Sequence, residues 1–462
     1  MRDHPLQLVL DTRRAQHEGP AGLARRQQTR LAELVAFARR TSPTYRTRYR
    51  GLPDRIEDPA LLPVVDKPTL MAEFDDWVTD PTVTADTVQV FADDPRRIGQ
   101  PFLGRYTLTT TSGTTGTRGL FLLDHTSLSV AGVVMLRALT HWLSRPDLAR
   151  VLRGGGRIAM VMATGGHFAS AVAAARLRSS PVRRRLISVM SVHSPLPELV
   201  DQLNRVQPAI LTPYASIAAL LAGEQHAGRL RIRPAVIVLA AEGLPPADYD
   251  RIEAAFPTAA VVSSYAATEC PFLSFSCPER WLHVNSDWVI VEPVTADHQP
   301  VLPGELSDTV LISNLANRIQ PILRYDLGDR VMQRPDPCPC GLPFPAVRVH
   351  GRTADFLTIP RQNGDPAVVP ALAFATLIDQ TAGIDQAQIV QTSPTELSVR
   401  LRTRPDAQLD PTWNALAAAL RRLLDDQGLS HVTLSQDHQT PQPTSGGKYR
   451  SLIPLTQPTT PP

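Results

Sequence analysis

Between residues 157 and 266 the sequence alternates between short apolar runs and segments with helical apolar spacing. The apolar runs are continuous, and they read RIAMVMAT, RLISVMSV, PAILTPY, AVIVLAAE and AAVVSSYA. The segments between them include PLPELVDQLNRV, SIAALLAGEQH and ADYDRIEAAF. Continuous apolar runs are typical of strands buried on both faces, and strands that alternate with helices form parallel sheets. The sequence therefore predicts an α/β fold with a mostly parallel sheet covered by helices.

The pattern changes twice after this region. From 281 to 333 the helical segments stop, and the apolar runs LHVNSDWVIVEPV, DTVLISNL and PILRYDLGDRV predict a β-rich, more antiparallel section. After residue 351 a strand, a helix, two strands, a helix and a strand predict a compact α+β unit of about a hundred residues, a usual size for a domain. We therefore expect a large N-terminal domain over 1–350 and a small C-terminal domain over 351–462.

Composition and charge exclude several classes of protein. The apolar content of 43% and the charged content of 20% are ordinary for a soluble globular protein. The net charge of +3 is small, the basic residues are scattered, and the run Arg183–Arg185 is typical of a solvated turn. No apolar segment approaches the roughly 18 residues of a membrane span, and no signal-peptide pattern is present. We expect a cytoplasmic monomer or dimer with no nucleic-acid or membrane partner.

A loop rich in small polar residues lies in the first third of the chain. Ten of the eleven residues from Thr109 to Gly119 are Thr, Ser or Gly, and the exception is Arg118. Such a loop offers backbone N–H groups and hydroxyls that can surround a polyphosphate. A plain linker is the alternative, but linkers rarely run straight into a buried strand such as LFLLD. The Gly-Lys-Ser/Thr ending of a Walker loop is absent.

Four further motifs follow this loop in order. SYAATE ends a predicted strand, so Thr268 and Glu269 are expected at the C-terminal edge of the sheet, where α/β proteins bind ligands. RYDLGD places a carboxylate just after a strand, and GRTAD lies at the expected domain junction. TSGGKYR contains Lys448, and Lys67 is the only other lysine in the chain. Lys448 is either present by chance or contacts a reacting group that its compact ammonium can serve and a guanidinium cannot.

These five motifs, in this order, resemble those of the adenylate-forming superfamily of acyl-CoA ligases, luciferases and peptide-synthetase adenylation domains. The resemblance covers nearly the whole chain and is closest to the phenylacetate–CoA ligase-like branch. LLPVVDKPTL resembles the N-terminal segment of that branch, and LAAEGLP resembles its adenine-binding loop. The resemblance also implies that the small C-terminal domain is mobile.

The resemblance implies an activity and its cofactors. With ATP and Mg²⁺ the enzyme would convert a small-molecule carboxylic acid into an acyl-adenylate. It would then transfer the acyl group to the thiol of coenzyme A or of the phosphopantetheine on an acyl carrier protein. Transfer of AMP to a hydroxyl, as in deazaflavin-adenylylating relatives, is an alternative. A non-catalytic nucleotide-binding protein is another.

The resemblance also implies roles for individual residues. Lys448 would contact the substrate carboxylate and the bridging oxygen, Glu269 would bind Mg²⁺, and Thr268 would contact the α-phosphate. Asp329 would accept hydrogen bonds from both ribose hydroxyls, which suits an acceptor-only carboxylate. Arg352 would lie near the ribose and phosphate. The other implied nucleotide contacts are Thr111, Ser112, Gly113, Thr114, Thr115, Gly116, Glu242 and Tyr265.

The chain departs from the resembled pattern at two positions. Gly119 stands where many members carry a lysine after the phosphate loop. Ala354 stands where an acidic residue is usual, at the hinge about which the relatives rotate their C-terminal domain between adenylation and thioester formation. Ala354 therefore puts the thioester-forming step in question.

The acid-binding pocket is expected at the ends of the predicted strands. By position in the fold, His167, Phe168, Tyr214 and Ala266 should line it. Ala266 replaces a common glycine and would narrow the floor of the pocket, and His167 is either a gate or a packed core histidine. No aspartate that would anchor an α-amino group can be identified, so an aryl or fatty acid is favoured over an amino acid.

The cysteines form a second group of candidate residues. Cys277 and His283 lie in CPERWLH, and Cys338 and Cys340 lie in CPCG. Three thiolates and one imidazole would complete a closed tetrahedral Zn²⁺ site. A reduced cytoplasm disfavours disulfides, and some members of the resembled branch carry a structural metal at these positions. Three ordinary thiols are the alternative, and Cys270 is expected to serve packing.

Overall fold

The chain divides after Gly351 into two compact units, Met1–Gly351 and Arg352–Pro462. The computed structural model describes residues 5–111, 119–162, 167–191, 194, 196–240, 246–352, 356–363, 366–370, 374, 377–378, 381–404, 407–442 and 452–455.

The first unit contains helices on both sides of a large sheet. Its described helices are α1 (Pro5–Ala15), α2 (Gly19–Thr41), α3 (Pro43–Arg48), α4 (Lys67–Ala72), α5 (Phe74–Trp77), α6 (Ala85–Ala92), α7 (His125–Trp142), α8 (Arg145–Arg153), α9 (Ala169–Leu177), α10 (Pro181–Leu186), α11 (Leu196–Val206), α12 (Ala215–His226) and α13 (Pro246–Ala255), with 3-10 turns at Pro59–Leu61 and Pro95–Arg97. Its described strands are β1 (Thr107–Thr110), β2 (Leu120–Leu123), β3 (Ile158–Met162), β4 (Ile187–Ser191), β5 (Ile210–Pro213), β6 (Val236–Leu239), β7 (Ala260–Tyr265), β8 (Ser274–Ser276), β9 (Leu282–Val284), β10 (Val289–Val294), β11 (Thr309–Asn314), β12 (Ile322–Asp326), β13 (Asp329–Gln333) and β14 (Ala346–Arg352).

The central sheet has nine strands in the order β13-β14-β9-β8-β7-β6-β5-β3-β4. The strands β4, β3, β5, β6 and β7 are parallel to one another. The pairs β7–β8, β8–β9 and β9–β14 are antiparallel. The predicted α/β fold class is therefore confirmed. Part of the β-rich section extends the parallel sheet, and the rest forms a separate antiparallel sheet, β10-β11-β12.

The continuous apolar runs follow from burial on both faces of the sheet. Ala159 and Val161 of β3 pack in a core with residues of α11, α12 and α13. Met160 and Met162, the alternate residues of the same strand, lie in a cluster with Ala174 of α9. Because successive side chains of a strand point to opposite faces, every position of a doubly covered strand must be apolar.

The largest core of the first unit joins the N-terminal helices, the β1–β2 hairpin and the three-stranded sheet. Two buried aromatic side chains meet at one carbonyl: the Tyr45 hydroxyl and the Trp77 indole N–H donate to Pro321 O at 2.7 and 2.9 Å. The Leu122 N–H donates to Gln320 Oε1 at 2.6 Å. The first two bonds hold α3 and α5 against the start of β12, and the Leu122 bond holds the hairpin that carries the Thr/Gly-rich loop next to it.

The second unit has a core of its own. Its described elements are β15 (Phe356–Pro360), β16 (Pro366–Pro370), β17 (Ile384–Ser393), β18 (Glu396–Thr403), β19 (Thr433–Asp437), β20 (Leu452–Ile453) and α14 (Leu409–Asp426). β15 and β16 form an antiparallel hairpin over the segment IPRQNGDPAVVP, and β19-β18-β17-β20 form a sheet. The predicted single strand before the first helix is thus a hairpin. Within the helix predicted over PALAFATLIDQTAG, the described residues Phe374, Leu377 and Ile378 are helical.

Among the residues that the structure describes, no helix is both long enough and apolar enough to cross a membrane.

Candidate active site and metal centre

A tight turn after β7 presents the end of the SYAATE motif. The Ala267 N–H donates to Cys270 O at 3.0 Å, and the Cys270 N–H donates back to Ala267 O at 3.1 Å. Thr268 and Glu269 therefore occupy a turn closed by two backbone hydrogen bonds. Glu269 is buried, and its backbone carbonyl accepts a hydrogen bond from Asn314 Nδ2 at 3.1 Å. Both residues lie at the C-terminal end of a central strand, where α/β sheets bind ligands.

A second turn, between β12 and β13, presents Asp329. Gly328 has a φ of 73°, in the region that favours glycine, which explains the glycine of RYDLGD. Its N–H donates to Asp326 Oδ1 at 3.0 Å, and the Thr309 hydroxyl donates to the same oxygen. The turn is thus fixed by side-chain contacts, and it delivers the buried carboxylate of Asp329 at the first position of β13.

Two tyrosine hydroxyls link these turns reciprocally. The Tyr265 hydroxyl donates to Asp329 Oδ2 at 2.5 Å, and the Tyr325 hydroxyl donates to Glu269 Oε1 at 2.8 Å. Each motif therefore supplies one carboxylate and one tyrosine that holds the carboxylate of the other. We refer to these four residues as the tyrosine–carboxylate pairs. They link the SYAATE and RYDLGD motifs in space, and the nucleotide-binding roles of Glu269, Asp329 and Tyr265 stay predictions.

The stem of the Thr/Gly-rich loop is closed by the ends of β1 and β2. The Thr111 N–H donates to Gly119 O at 3.0 Å, and the Gly119 N–H donates to Thr111 Oγ1 at 2.8 Å. A Cβ atom at position 119 would lie 2.5 Å from the ring of Phe121, which is buried. The ring of Phe121 occupies the space that a side chain at residue 119 would need. This clash is a steric reason for the glycine at this position.

Three of the predicted pocket residues lie together at the ends of β3 and β5. His167 is buried, its carbonyl accepts from the Thr110 N–H at 2.7 Å, and its ring centroid lies 5.7 Å from that of Phe91. Phe168 packs against the cluster that contains Tyr214, Met160 and Met162. The predicted fourth member, Ala266, is exposed at the end of β7.

Several predicted site residues lie outside the described part of the chain. They are Ser112, Gly113, Thr114, Thr115 and Gly116 of the loop, Glu242, Ala354 and Lys448. Arg352 ends β14, and its side chain is outside the described residues as well.

The four predicted metal ligands converge on one point. Cys277 follows β8, His283 lies in β9, and Cys338 and Cys340 lie between β13 and β14. Because β9 pairs with β14 with His283 opposite Ala346, the two halves of the cluster meet. The donor atoms all lie within 4.8 Å of one another. We refer to these four residues as the cysteine cluster.

The geometry of the cysteine cluster fits a tetrahedral zinc ion. Cys277 Sγ and Cys338 Sγ are 3.7 Å apart, close to the roughly 3.8 Å edge of a tetrahedron with Zn–S bonds of about 2.3 Å. His283 Nδ1 lies 2.9 Å from Phe344 O, and a carbonyl only accepts, so the proton is on Nδ1. Nε2 then offers a lone pair towards the cluster, 3.1 Å from Cys340 Sγ. A carbonyl that orients the ring in this way is typical of metal-binding histidines.

Burial changes the acid–base properties of the cluster. It raises the pKa of the Cys340 thiol to about 12, and it also raises the pKa of Cys277. Burial lowers the pKa of His283, in spite of the hydrogen bond to Phe344. Desolvation thus favours the neutral forms of these groups, and thiolates in this position require a neighbouring positive charge.

Tyr325 is a member of the site that sequence reasoning did not assign. It lies in the RYDLGD motif, four residues before Asp329, but nothing in the local pattern points to Glu269, which is 56 positions away. The only available signal was the position of the tyrosine in a motif already linked to nucleotide binding.

Comparisons with known proteins identify relatives of the fold. No protein-family model and no curated protein matches the chain. The structure is similar to that of a 2-hydroxyisobutyryl-CoA ligase in the postadenylation state in complex with 2-HIB-AMP. The TM-score is 0.63 and the identity 20%, over 95% of this chain and 90% of that one. The same ligase in complex with 2-HIB-AMP and CoA in the thioesterification state gives a TM-score of 0.55 at 20% identity, over 96% and 91% of the two chains.

A third similar structure is that of McyG A-PCP complexed with phenylalanyl-adenylate. Its TM-score is 0.51 and its identity 13%, over 74% of this chain and 64% of that one. At these identities the similarity concerns the fold. The fold expected from the motifs is confirmed by these neighbours: the chain has the fold of the adenylate-forming acyl-CoA ligases.

Proposed function

We propose that the protein is an ATP-dependent acid–thiol ligase. It converts a carboxylic acid and ATP into an acyl-adenylate and pyrophosphate, and it then transfers the acyl group to a thiol. The observation that carries this proposal is the pair of buried carboxylates, Glu269 and Asp329, held by the tyrosine–carboxylate pairs at the C-terminal edge of the sheet. They stand in a fold shared with a ligase that was solved with an acyl-adenylate.

The two carboxylates suit different parts of a nucleotide. Activation of an acid brings its carboxylate towards the α-phosphate, so the negative charge must be neutralised. Glu269, whose carboxylate is oriented by Tyr325, would hold Mg²⁺, which supplies that charge when bound. Asp329 would accept the ribose hydroxyls. Thr268, in the same turn as Glu269, would contact the α-phosphate.

The remaining parts of the proposal rest on the sequence motifs. The loop from Thr111 to Gly119 would surround the β- and γ-phosphates, and its closed stem supports this role because it anchors both ends of the loop. Glu242 and Tyr265 would lie near the adenine, and Arg352 near the ribose. The first unit would bind ATP and the acid, and the second unit would deliver Lys448 to the bridging oxygen.

The side chains where the acid pocket is expected are apolar, which supports an apolar acid. Phe168, Tyr214, Met160 and Met162 pack in one cluster at the ends of β3 and β5. We propose that an aryl or fatty carboxylate is the substrate, as in the phenylacetate–CoA ligase-like branch. Coenzyme A or a carrier-protein pantetheine would be the acceptor. We further propose that the cysteine cluster holds a structural Zn²⁺, supported by the donor distances.

The most informative experiment is pyrophosphate exchange across a panel of aryl and fatty acids, followed by product analysis with and without coenzyme A. We expect exchange with at least one apolar acid and thioester formation when coenzyme A is present. Lys448→Ala should lower exchange by about 100-fold or more while ATP binding persists, because one transition-state contact is removed. Lys448→Arg should lower pyrophosphate exchange as well, because a planar guanidinium does not replace the compact ammonium.

The outcomes separate the candidate functions. Exchange at the wild-type rate in Lys448→Ala would show that the central assignment is wrong. Nucleotide binding without exchange for any acid would favour a non-catalytic protein. Adenylation of a hydroxyl acceptor without thioester formation would favour the AMP-transfer alternative.

A further inference from the structure

The parallel half of the sheet gathers arginines that are scattered along the sequence. The first residues of β4, β3, β5 and β6 lie side by side: Ile158 is opposite both Ile187 and Ile210, and Ile210 is opposite Val236. The segments that lead into these strands, 145–157, 176–187, 205–209 and 229–235, therefore meet at one edge. Backbone hydrogen bonds of 2.8 Å from Ala209 N to Arg157 O and from Ala235 N to Ala209 O link three of them directly. We call this edge the amino-terminal edge.

The amino-terminal edge is strongly basic. The four segments contain thirteen arginines and a single acidic residue, Asp147, in a chain whose net charge is only +3. Within the described part of the chain, only Arg150 and Arg229 of this set form ion pairs, with Asp147 and Glu224. The guanidinium groups without an ion pair there belong to Arg145, Arg153, Arg157, Arg176, Arg178, Arg183, Arg184, Arg185, Arg205, Arg231 and Arg233. Some of them donate to neutral oxygens, as Arg176 does to Thr107 Oγ1 and Arg157 does to Gln207 O, and such contacts leave the positive charge without an acidic partner.

Two short helices of the same edge expose aliphatic side chains. Leu148 and Leu152 are four residues apart on α8 and are 52% and 73% exposed. Val182 and Leu186 are four residues apart on α10 and are 69% and 36% exposed. Residues at this spacing lie on the same side of a helix. Each helix thus presents an aliphatic pair surrounded by arginines, a combination that a merely solvated basic surface does not require.

The sequence led us to expect no membrane partner and a solvated turn at Arg183–Arg185, but these arginines lie in the helix α10, and we propose that the amino-terminal edge docks on an anionic lipid surface. The arginines would bind headgroup phosphates, and the aliphatic pairs of α8 and α10 would insert between the lipids, as amphipathic interfacial helices do. Each basic residue close to an anionic membrane strengthens binding about fivefold, so a cluster of this size is sufficient for peripheral association. The first unit needs no membrane-spanning segment for this association.

Two other classes of anionic partner fit the edge less well. Single-stranded nucleic acids are bound by aromatic side chains on which the bases stack, and the four segments contain no aromatic residue. An acidic carrier protein would have to bring its thiol to the C-terminal ends of the strands. The amino-terminal edge lies at the opposite end, separated by strands about 16 Å long. A lipid surface bound at the amino-terminal edge does not have to reach the C-terminal ends of the strands.

The test is co-sedimentation of the full-length protein with vesicles of phosphatidylcholine alone or mixed with phosphatidylglycerol. We expect binding only to the anionic vesicles, and weaker binding as salt increases. The triple variant Arg183→Glu, Arg184→Glu, Arg185→Glu should bind about 100-fold more weakly or worse. The matched control is Arg25→Glu, Arg40→Glu, Arg50→Glu, which changes the charge equally at exposed positions of the N-terminal helical region. This control should bind like the wild type.

A second variant tests insertion without changing the charge. The double variant Leu152→Ser, Val182→Ser should weaken vesicle binding at constant salt, and its Tm should equal that of the wild type because both side chains are exposed. The proposal is overturned if the wild type does not bind anionic vesicles, or if the control triple variant loses binding equally. Capture of RNA or of an acidic protein in the absence of vesicle binding would overturn it as well.

Discussion

At the scale of single residues, the tyrosine–carboxylate pairs give the candidate site its rigidity. Burying a carboxylate is costly unless hydrogen bonds compensate for lost water. Tyr265 and Tyr325 provide such bonds to Asp329 and Glu269, and each bond crosses from one motif to the other. The two bonds therefore couple the two turns, so that a shift of one turn strains the contacts of the other.

We predict that Tyr325→Phe lowers the adenylation rate by about 10- to 100-fold, the usual effect of removing a group that orients a metal-binding side chain. The free energy of unfolding should fall by about 1–3 kcal/mol, because the buried carboxylate of Glu269 loses a hydrogen-bond donor. Pyrophosphate exchange and chemical denaturation measure the two quantities.

The control for this variant is Tyr106→Phe. The Tyr106 hydroxyl also donates to a carboxylate, Asp80 Oδ2 at 2.7 Å, but outside the tyrosine–carboxylate pairs. It should lose no more stability than Tyr325→Phe, because Asp80 keeps its contacts with Arg105 and Thr82, and it should keep its exchange rate. Equal losses of activity in both variants would contradict an orienting role for Tyr325.

The sequence predicted the carboxylates of the site better than their partners. Glu269 and Asp329 lie in motifs whose position after a strand indicates a ligand site. The partnership between Tyr325 and Glu269 depends on how β12 packs against the end of β7, and no local pattern encodes that distance. Long-range pairs of this kind follow from tertiary packing.

At the scale of elements, the parallel strands were predictable because both faces of the sheet are covered. β3 to β7 lie within the apolar runs that predicted them, with ends that differ by one to three residues. The antiparallel extension was not predictable in the same way. β8 has only three residues, Ser274–Ser276, too few to show an alternation, and it is a strand because β7 and β9 pair with it on both sides.

The cysteine cluster depends on the same antiparallel extension. The spacing of the cysteines and the histidine suggested a metal site, but their proximity follows from the pairing of β9 with β14. A zinc ion bound there would connect the β8–β9 region to the loop before β14. Metal binding of this kind stabilises the folded state, since the unfolded chain has no preformed site.

We predict that the purified protein contains about one zinc ion per chain, the stoichiometry of a single tetrahedral site. Cys338→Ser should lower both the zinc content and the Tm, because one of the four ligands is lost. Elemental analysis and calorimetry measure these effects.

Cys270→Ala is the matched control for this variant. Cys270 is fully buried and lies outside the cysteine cluster, and burial raises the pKa of its thiol well above the usual range. It should keep its zinc while losing some packing energy. A metal-free wild-type protein whose Tm does not respond to a chelator would contradict the zinc assignment.

At the scale of the whole molecule, the two units have separate hydrophobic cores. The core of the second unit consists of residues from Leu357 to Leu452, and none of them belongs to a core of the first unit. Two independently packed units are a physical requirement for any mechanism in which one unit turns against the other. Ala354, which follows the division at Gly351 by three residues, is the position at which we expect such a turn.

The last prediction concerns the effect of Ala354 on the second half-reaction. Hinges require only a few residues with permissive torsions, and alanine meets this condition even without a polar side chain. We therefore expect rapid thioester formation when preformed acyl-adenylate is mixed with excess coenzyme A in a single-turnover experiment. Ala354→Asp, which introduces the acidic residue typical of the resembled family, should leave this rate nearly unchanged. If the wild type is slow and Ala354→Asp is fast, the alanine limits the rotation. If neither variant forms thioester, while the adenylate reacts rapidly with a carrier protein or a hydroxylated acceptor, coenzyme A is not the acceptor.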